Sequence, residues 1–401
     1  MRVGVFFGSG SVEEGGGSTL QSGIISAIKS TESGHEFVIH SPSQSEPEHT
    51  DRGIVGYLRR VRRWISSHWL MGPICRFGLR KIRRGRKSMS VEEEFAKRSA
   101  VDIVWFLTPH CSPVDVPYIA TVWDLEHRTQ PYFPEVSSSG WNWESREANY
   151  RTLLPRASRV ITGTAAGKAE VVSFYGVHPD NVRIVPFPAD DCFRALDNVP
   201  VDISKKCGIR GDFIFYPAQF WPHKNHVNLL LALKLLNDDS SVPLELVLSG
   251  SDKGNLHYVQ QTVDRLGLSQ LVHFVGFVSR EDLANLYRQA IALIYPSFFG
   301  PDNLPPLEAF AIGCPVAAAR VAGADEQLGS AAILFDPARP DEIADAVRRI
   351  RNNEKVRSEL IRRGRAQVQA KTPKEYVEQV CGILNEFEPI RRCWAASHVH
   401  I

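Results

Sequence analysis

The sequence predicts an α/β protein of two halves, each built on a parallel sheet with helical crossovers. Three observations predict it. Short apolar runs rich in β-forming residues alternate with amphipathic stretches along the whole chain, as in parallel sheets with helical crossovers. The alternation breaks once, at Phe187–Ile209, a polar segment with two prolines that reads as a hinge between two halves. The 401 residues, 43% hydrophobic and 23% charged, suffice for two or three packed domains.

Taken in order, the strand expectations in the first half are Arg2–Phe7, Glu36–His40, Asp102–Leu107, Tyr118–Val122, Arg159–Thr162 and Val182–Pro186. In the second half they are Phe213–Tyr216, Leu244–Leu248, Leu271–Val275, Ile291–Tyr295, Pro315–Ala319 and Ala331–Phe335. Val227–Leu236, Leu256–Leu266 and Glu342–Ile350 have helical periodicity, and the stretch from Lys374 reads as one helix and a tail. The expected domains are therefore 1–190, 205–375 and a terminal helix and tail, 376–401.

The net charge of +2 gives no general argument for nucleic acid, which is not an expected partner. Seven cysteines without a C-x-x-C pair argue against a disulfide framework and a zinc site. The N-terminus reads as strand and glycine loop rather than a signal peptide, and no run approaches the ~18 apolar residues of a membrane span. A cytoplasmic protein is the expectation. One segment stands apart: between Arg52 and Ser88 are twelve basic residues and no acidic one, interleaved with Trp64, Trp69 and Phe77. That pattern suits an anionic membrane surface or anionic acceptor, which would make the protein peripheral to the membrane. A solvated basic insertion packed on the sheet is the plainer reading, and nucleic-acid contact the third.

The strongest chemical signal is Tyr295–Val316, YPSFFGPDNLPPLEAFAIGCPV. A buried strand ends, a glycine-containing loop follows, and a helix starts. Pro305 precedes a proline and is disfavoured in α geometry, so Pro306 fits the first helical position and Gly313 the end. Glu308 is then expected in the first turn, beside free backbone N–H groups suited to a diphosphate. The alternative is that Glu308 only favours its own helix start.

This run resembles the E-x7-E segment of the retaining glycosyltransferases of family 4, and the resemblance implies the GT-B fold, two Rossmann-like α/β domains facing a central cleft. The resemblance extends to Phe215–Leu230 (FYPAQFWPHKNHVNLL), Leu248–Gly250, Val275–Ala290 (VGFVSREDLANLYRQA) and Ala322–Pro337 (AGADEQLGSAAILFDP), in the family's order over most of residues 210–350. It implies that Glu308 holds the donor ribose and Lys224 pairs with the diphosphate. A cation at Lys224 also suits charge developing on a departing nucleotide. The resemblance further implies that the amides of Asn303 and Leu304 face the phosphates or sugar. Ser249 and Gly250 would line the floor, and Phe277 and Val278 flank the base.

The chain departs from the family pattern at two places. Gly300 stands where a sugar-contacting glutamate is usual, with Asp302 close enough to substitute. Ala218 stands where an arginine often meets the diphosphate, with Gln219 beside it and His223 placed to share that load. In the first half, Gly15, Gly16 and Gly17 would let backbone approach a ligand closely, and Ser18 would start the next helix; the resemblance implies that this loop lies near the donor phosphates. Trp123–Asp124 replaces the family's His-Asp pair. Asp124 and His127 are both expected to point into the cleft, His127 towards the sugar or acceptor, unless Asp124 caps a turn and His127 is structural. Thr162, Gly163 and Thr164 are expected to line the cleft.

No D-x-D pair and no G-x-x-x-x-G-K-[ST] loop occurs. Metal-held diphosphate chemistry and a P-loop are therefore not expected, and no cofactor is. The resemblance implies retaining transfer from a nucleotide diphosphate sugar to a glycan or lipid-linked acceptor, as in bacterial surface polysaccharide or lipopolysaccharide synthesis. Alternatives are another GT-B enzyme, such as a nucleotide-sugar epimerase or sugar-phosphate synthase, or a catalytically silent scaffold.

Overall fold

The computed structural model describes residues 1–8, 16–40, 89–109, 111–138, 143–191, 193, 202–239, 241–300 and 302–394. The basic segment 52–88 and residues 9–15 of the first glycine loop lie outside this set.

Two six-stranded sheets form the frame. In the N-terminal domain the strands are β1 (Arg2–Phe6), β2 (Glu36–Ile39), β3 (Ile103–Phe106), β4 (Tyr118–Thr121), β5 (Arg159–Thr162) and β6 (Val182–Ile184), in the order β2-β1-β3-β4-β5-β6. In the C-terminal domain β7 (Phe213–Pro217), β8 (Glu245–Ser249), β9 (Val272–Gly276), β10 (Leu293–Tyr295), β11 (Val316–Ala319) and β12 (Ala332–Phe335) take the order β12-β11-β10-β7-β8-β9. Every pairing between these strands is parallel. Each strand expected from the sequence has its counterpart, shifted by at most two residues at either end.

The strands read as apolar runs rather than alternations because helices cover both faces. Val104, Trp105 and Phe106 of β3 have no exposure at all, which only a doubly covered sheet produces. One continuous apolar core fills the C-terminal domain, and two separate cores flank the N-terminal sheet.

The last helix, Pro373–Arg391, starts at a capping box on Thr372 and returns to the N-terminal domain. Tyr376, Val377, Val380 and Leu384 are buried against Leu20 and Ile24 of the helix Gly16–Ser30 and against Trp105. Arg391 closes this contact with two hydrogen bonds to Oδ1 of Asp102, at 2.9 and 2.5 Å. The chain therefore crosses between domains twice, once on each pass.

The order of the strands positions the site. In the C-terminal sheet the chain runs outward from β7 through β9, then restarts on the other side of β7 with β10. Loops leaving the carboxyl ends of β7 and β10 diverge there, which opens a crevice suited to a ligand. Lys224 lies in the first loop and Gly300–Asn303 in the second.

Candidate functional site

A cavity of about 680 Å³ lies between the carboxyl ends of the two sheets. Gly17, Trp123, Asp124 and Glu135 line it from the N-terminal domain. Gln219, His223, Lys224, Ser249, Gly250, Phe277, Val278, Gly300, Asp302, Asn303, Leu304 and Glu308 line it from the C-terminal domain. The cation and the carboxylate singled out in the sequence thus share one hollow.

Lys224 ends a 3-10 turn, Pro222–Lys224, that Asn225 closes in the left-handed region at φ 60°. The Asn225 side chain donates to the carbonyls of Pro296 and Pro337 at 3.0 and 2.8 Å, which locks this backbone in place. The Lys224 ammonium donates to the hydroxyl of Tyr295 at 3.0 Å, and that hydroxyl donates to Oδ1 of Asn303 at 3.0 Å. This relay holds the ammonium at the crevice between β7 and β10.

The helix carrying Glu308 runs Leu304–Ile312, with Asn303 as its N-cap. It begins before Pro306, because Pro305 in the first turn lacks only an N–H that would be unpaired there. Glu308 is consequently the fifth helical residue and lies beyond the first turn. Its Oε2 accepts from the Tyr287 hydroxyl at 2.8 Å, so it is not used as a cap. Burial pushes this carboxyl up to about 7, with Asp190 adding to the rise and Arg280 opposing it.

Two glycines of the floor have steric reasons. A β-carbon on Gly250, at φ 145°, would lie 2.4 Å from the Ala218 carbonyl oxygen. One on Gly17 would lie 2.7 Å from the Trp123 ring, which therefore rests directly on the start of the first helix. That helix begins at Gly16 rather than Ser18, so Gly17 sits in its first turn.

Asp124 faces the cavity in an ion pair with Arg146, whose Nη2 is 2.6 Å from Oδ1. Burial opposes ionisation of Asp124, but Arg146, together with the Glu126 amide, outweighs it and holds the carboxyl below its usual range. His127 corrects the sequence reading. It is fully buried behind the wall, its Nε2 2.9 Å from Glu147 and 3.1 Å from the Tyr175 hydroxyl. Burial and then Arg146 lower its pKa to about 4, which leaves a neutral structural histidine. Helical geometry from Glu126 to Thr129 turns its ring away from Asp124 and into the core.

Carboxylates that the sequence did not single out bridge the domains. Oε1 of Glu126 accepts from the Gly300 amide at 2.8 Å, and Gln130 donates to the Phe298 carbonyl at 2.7 Å. Oε1 of Glu135 accepts from the His223 amide at 2.9 Å and also bonds the His223 ring at Nδ1. Glu326 accepts from the amides of Ala165 and Ala166 at 2.6 and 3.0 Å, at the start of the helix Ala165–Tyr175, where a carboxylate is favoured. Asp302 packs on Gly163, whose missing β-carbon would lie 2.1 Å from Oδ1. Burial pushes Asp302 up to about 8. Trp221, Arg280 and Tyr295 also line the cavity without having been singled out. All three stand inside or beside the quoted motifs, which was the available signal.

Among the described residues no group of histidine, cysteine, aspartate or glutamate is arranged to hold a metal ion. No described helix is long and apolar enough to cross a membrane.

Residues 203–367 match the sequence model of the family described as Glycosyl transferases group 1. The chain is 26% identical over 224 residues to the O-antigen chain mannosyltransferase B of Escherichia coli, a match covering 55% of this chain and 58% of that protein. The chain spans little more than half the length of the curated relatives it matches. Among solved structures, Anabaena HepE in complex with UDP and glucose superposes with a TM-score of 0.65 at 15% identity, covering 96% of this chain and 100% of that one. WaaG, a glycosyltransferase involved in lipopolysaccharide biosynthesis, superposes with a TM-score of 0.63 at 16% identity, covering 96% and 99%. With both six-stranded parallel sheets in place, the fold is GT-B.

Proposed function

We propose that this chain is a glycosyltransferase that moves a sugar from a nucleotide diphosphate sugar to a glycan or lipid-linked acceptor, with retention at the anomeric carbon. One observation carries the proposal: Lys224 and Glu308 line a single cavity at the crevice between β7 and β10, within the segment that matches group 1 glycosyltransferases. The match of the other half to the same fold, and relatives named as sugar transferases, support it.

In this reading Glu308 accepts from the donor ribose, and the floor at Ser249 and Gly250 lets the nucleotide approach backbone. The base lies between Phe277 and Val278. Lys224, steadied by Tyr295, meets the diphosphate and stabilises charge as the nucleotide departs. Asn303 and Leu304 present amides at the helix start to the same phosphates. Asp124, fixed by Arg146, and Asp302 face the transferred sugar from opposite domains. The bond from anomeric carbon to phosphate oxygen breaks, the acceptor oxygen bonds that carbon on the same face, and the acceptor proton passes to the departing phosphate. The protein supplies orientation and charge rather than a covalent intermediate.

Surface polysaccharide or lipopolysaccharide synthesis is the proposed setting, because O-antigen and lipopolysaccharide enzymes are among the proteins this chain resembles. The basic segment 52–88 is proposed to meet an anionic membrane or acceptor. Sedimentation with anionic vesicles tests that part; unchanged sedimentation after neutralising Arg59–Arg63 and Arg80–Lys87 rejects it. Incubation with a panel of UDP-, GDP-, ADP- and dTDP-sugars tests the main proposal. One of them raises the melting temperature and is consumed when acceptor is added. Conversion without any acceptor points instead to an epimerase, and transfer to a sugar phosphate to a synthase.

A further inference from the structure

We infer that Glu135 and His223 form a proton-binding pair for the donor diphosphate: when a nucleotide sugar enters the cavity, His223 takes up a proton, and its charged ring joins Lys224 against the phosphates. The inference rests on the donor reading above and adds a residue from the opposite domain to it.

The pair spans the cleft. Glu135 stands on the short helix Pro134–Ser138 of the N-terminal domain, and His223 on the 3-10 turn of the C-terminal domain. Both line the cavity. Oε1 of Glu135 accepts from the His223 amide at 2.9 Å and lies against its ring Nδ1. A carboxylate there requires the proton on Nδ1 and leaves Nε2 as the second position. The ring cannot swing away, because it stacks on Phe299 at 3.9 Å between centroids and 10° between planes, with Phe133 edge-on at 6.3 Å.

The charges that face His223 are Glu135, Lys224 and, further off, Asp124, with the buried ring of His226 behind. Burial, then Lys224, lower His223 to about 4, so it is neutral at pH 7. Burial works against the ionised form of Glu135, but its bonds to His223 hold it below its usual range, so it stays a carboxylate. A diphosphate beside Lys224 brings two negative charges, which cancel the repulsion from that ammonium and favour an imidazolium. Glu135 acts as the positioning residue: it orients the ring and supports its charge from the opposite domain. Charge and phosphate binding are then linked in one equilibrium.

The test is calorimetric titration of the full chain with UDP-glucose and with GDP-mannose. These diphosphate diesters have no titrating group of their own between pH 6 and 8. Running each titration in PIPES and in Tris gives the number of protons exchanged. Glu308 and Asp302 titrate in the same range, so the readout is the difference between the wild type and His223→Gln. The wild type is expected to take up about one proton more than His223→Gln, and its affinity is expected to rise by up to tenfold more per unit fall in pH. Glu135→Gln, which retains a carbonyl for the His223 amide but not the charge, is expected to lose the same proton. Equal proton counts in wild type and His223→Gln, with binding intact, overturn the inference and leave the donor reading standing. If the wild type binds neither compound nor any other UDP-, GDP-, ADP- or dTDP-sugar of the panel, the donor reading falls and the inference with it.

Discussion

Glu126 in the N-terminal domain accepts a hydrogen bond at 2.8 Å from the backbone amide of Gly300 in the C-terminal domain. The second oxygen of this carboxylate is held by Thr129 and Gln130, at 2.5 and 2.9 Å. Where the resemblance to the E-x7-E segment led to the expectation of a glutamate, this chain presents the bare amide of Gly300 to a glutamate from across the cleft.

That arrangement predicts the outcome of placing a glutamate at position 300. A β-carbon at position 300 would lie 2.7 Å from the Ala322 carbonyl oxygen and 2.9 Å from Val321 Cγ2. Gly300→Glu is therefore expected to lower stability by about 1–3 kcal/mol and not to improve donor binding. Denaturant melts and donor titrations check both. Tighter donor binding at unchanged stability would contradict this account of Gly300.

Lys224 and Tyr295 are expected to differ in the size of their effects. Lys224→Ala removes the charge, and kcat/KM should fall by about 10²–10³. Tyr295→Phe removes only the hydroxyl between the ammonium and Asn303, and a loss of about tenfold is expected. Steady-state kinetics with saturating acceptor measure both, and equal losses would mean that the relay rather than the charge matters.

Buried titratable groups predict how stability depends on pH. His127, His223 and His226 are lowered by burial to about 4, 4 and 3. Their unfolded forms bind protons below pH ~6.5 while the folded forms do not, so stability falls as pH drops from there towards 4. Glu308 and Asp302 are raised by burial to about 7 and 8. Unfolded carboxyls ionise above pH ~4 while these remain protonated, so their contribution declines as pH rises to 7 or 8. Asp302→Asn is therefore expected to gain stability relative to the wild type between pH 5 and 8, by at most about 1.4 kcal/mol per pH unit. Urea melts across that range measure it, and a constant difference would refute a buried neutral Asp302.

The frame was legible in the sequence because doubly covered parallel strands must be almost wholly apolar, and runs such as Ile103–Phe106 and Val316–Ala319 stand out. Both sheets and the GT-B fold match what the pattern and the resemblance predicted. The site was legible where a motif fixes a backbone: the loops after β7 and β10 bring Lys224 and Glu308 to one cavity. It was not legible where a side chain's direction depends on local turns. His127 lies three residues from Asp124 and points into the core, because a helical turn separates them. Nor did the sequence indicate which acidic residues reach across the cleft. The partners of Glu135, Glu126 and Glu326 lie 88, 174 and 160 or more residues away, and nothing local distinguishes these glutamates from solvated ones.

The central claim is that Lys224 and Glu308 hold the same nucleotide. Donor affinity measured for the wild type, Lys224→Ala, Glu308→Ala and the double variant tests it most directly. The account predicts one donor per chain, weakened at least tenfold by each single change, with the double variant showing no saturable binding. Tight, unaltered binding in either single variant, with the chain still folded, would contradict it.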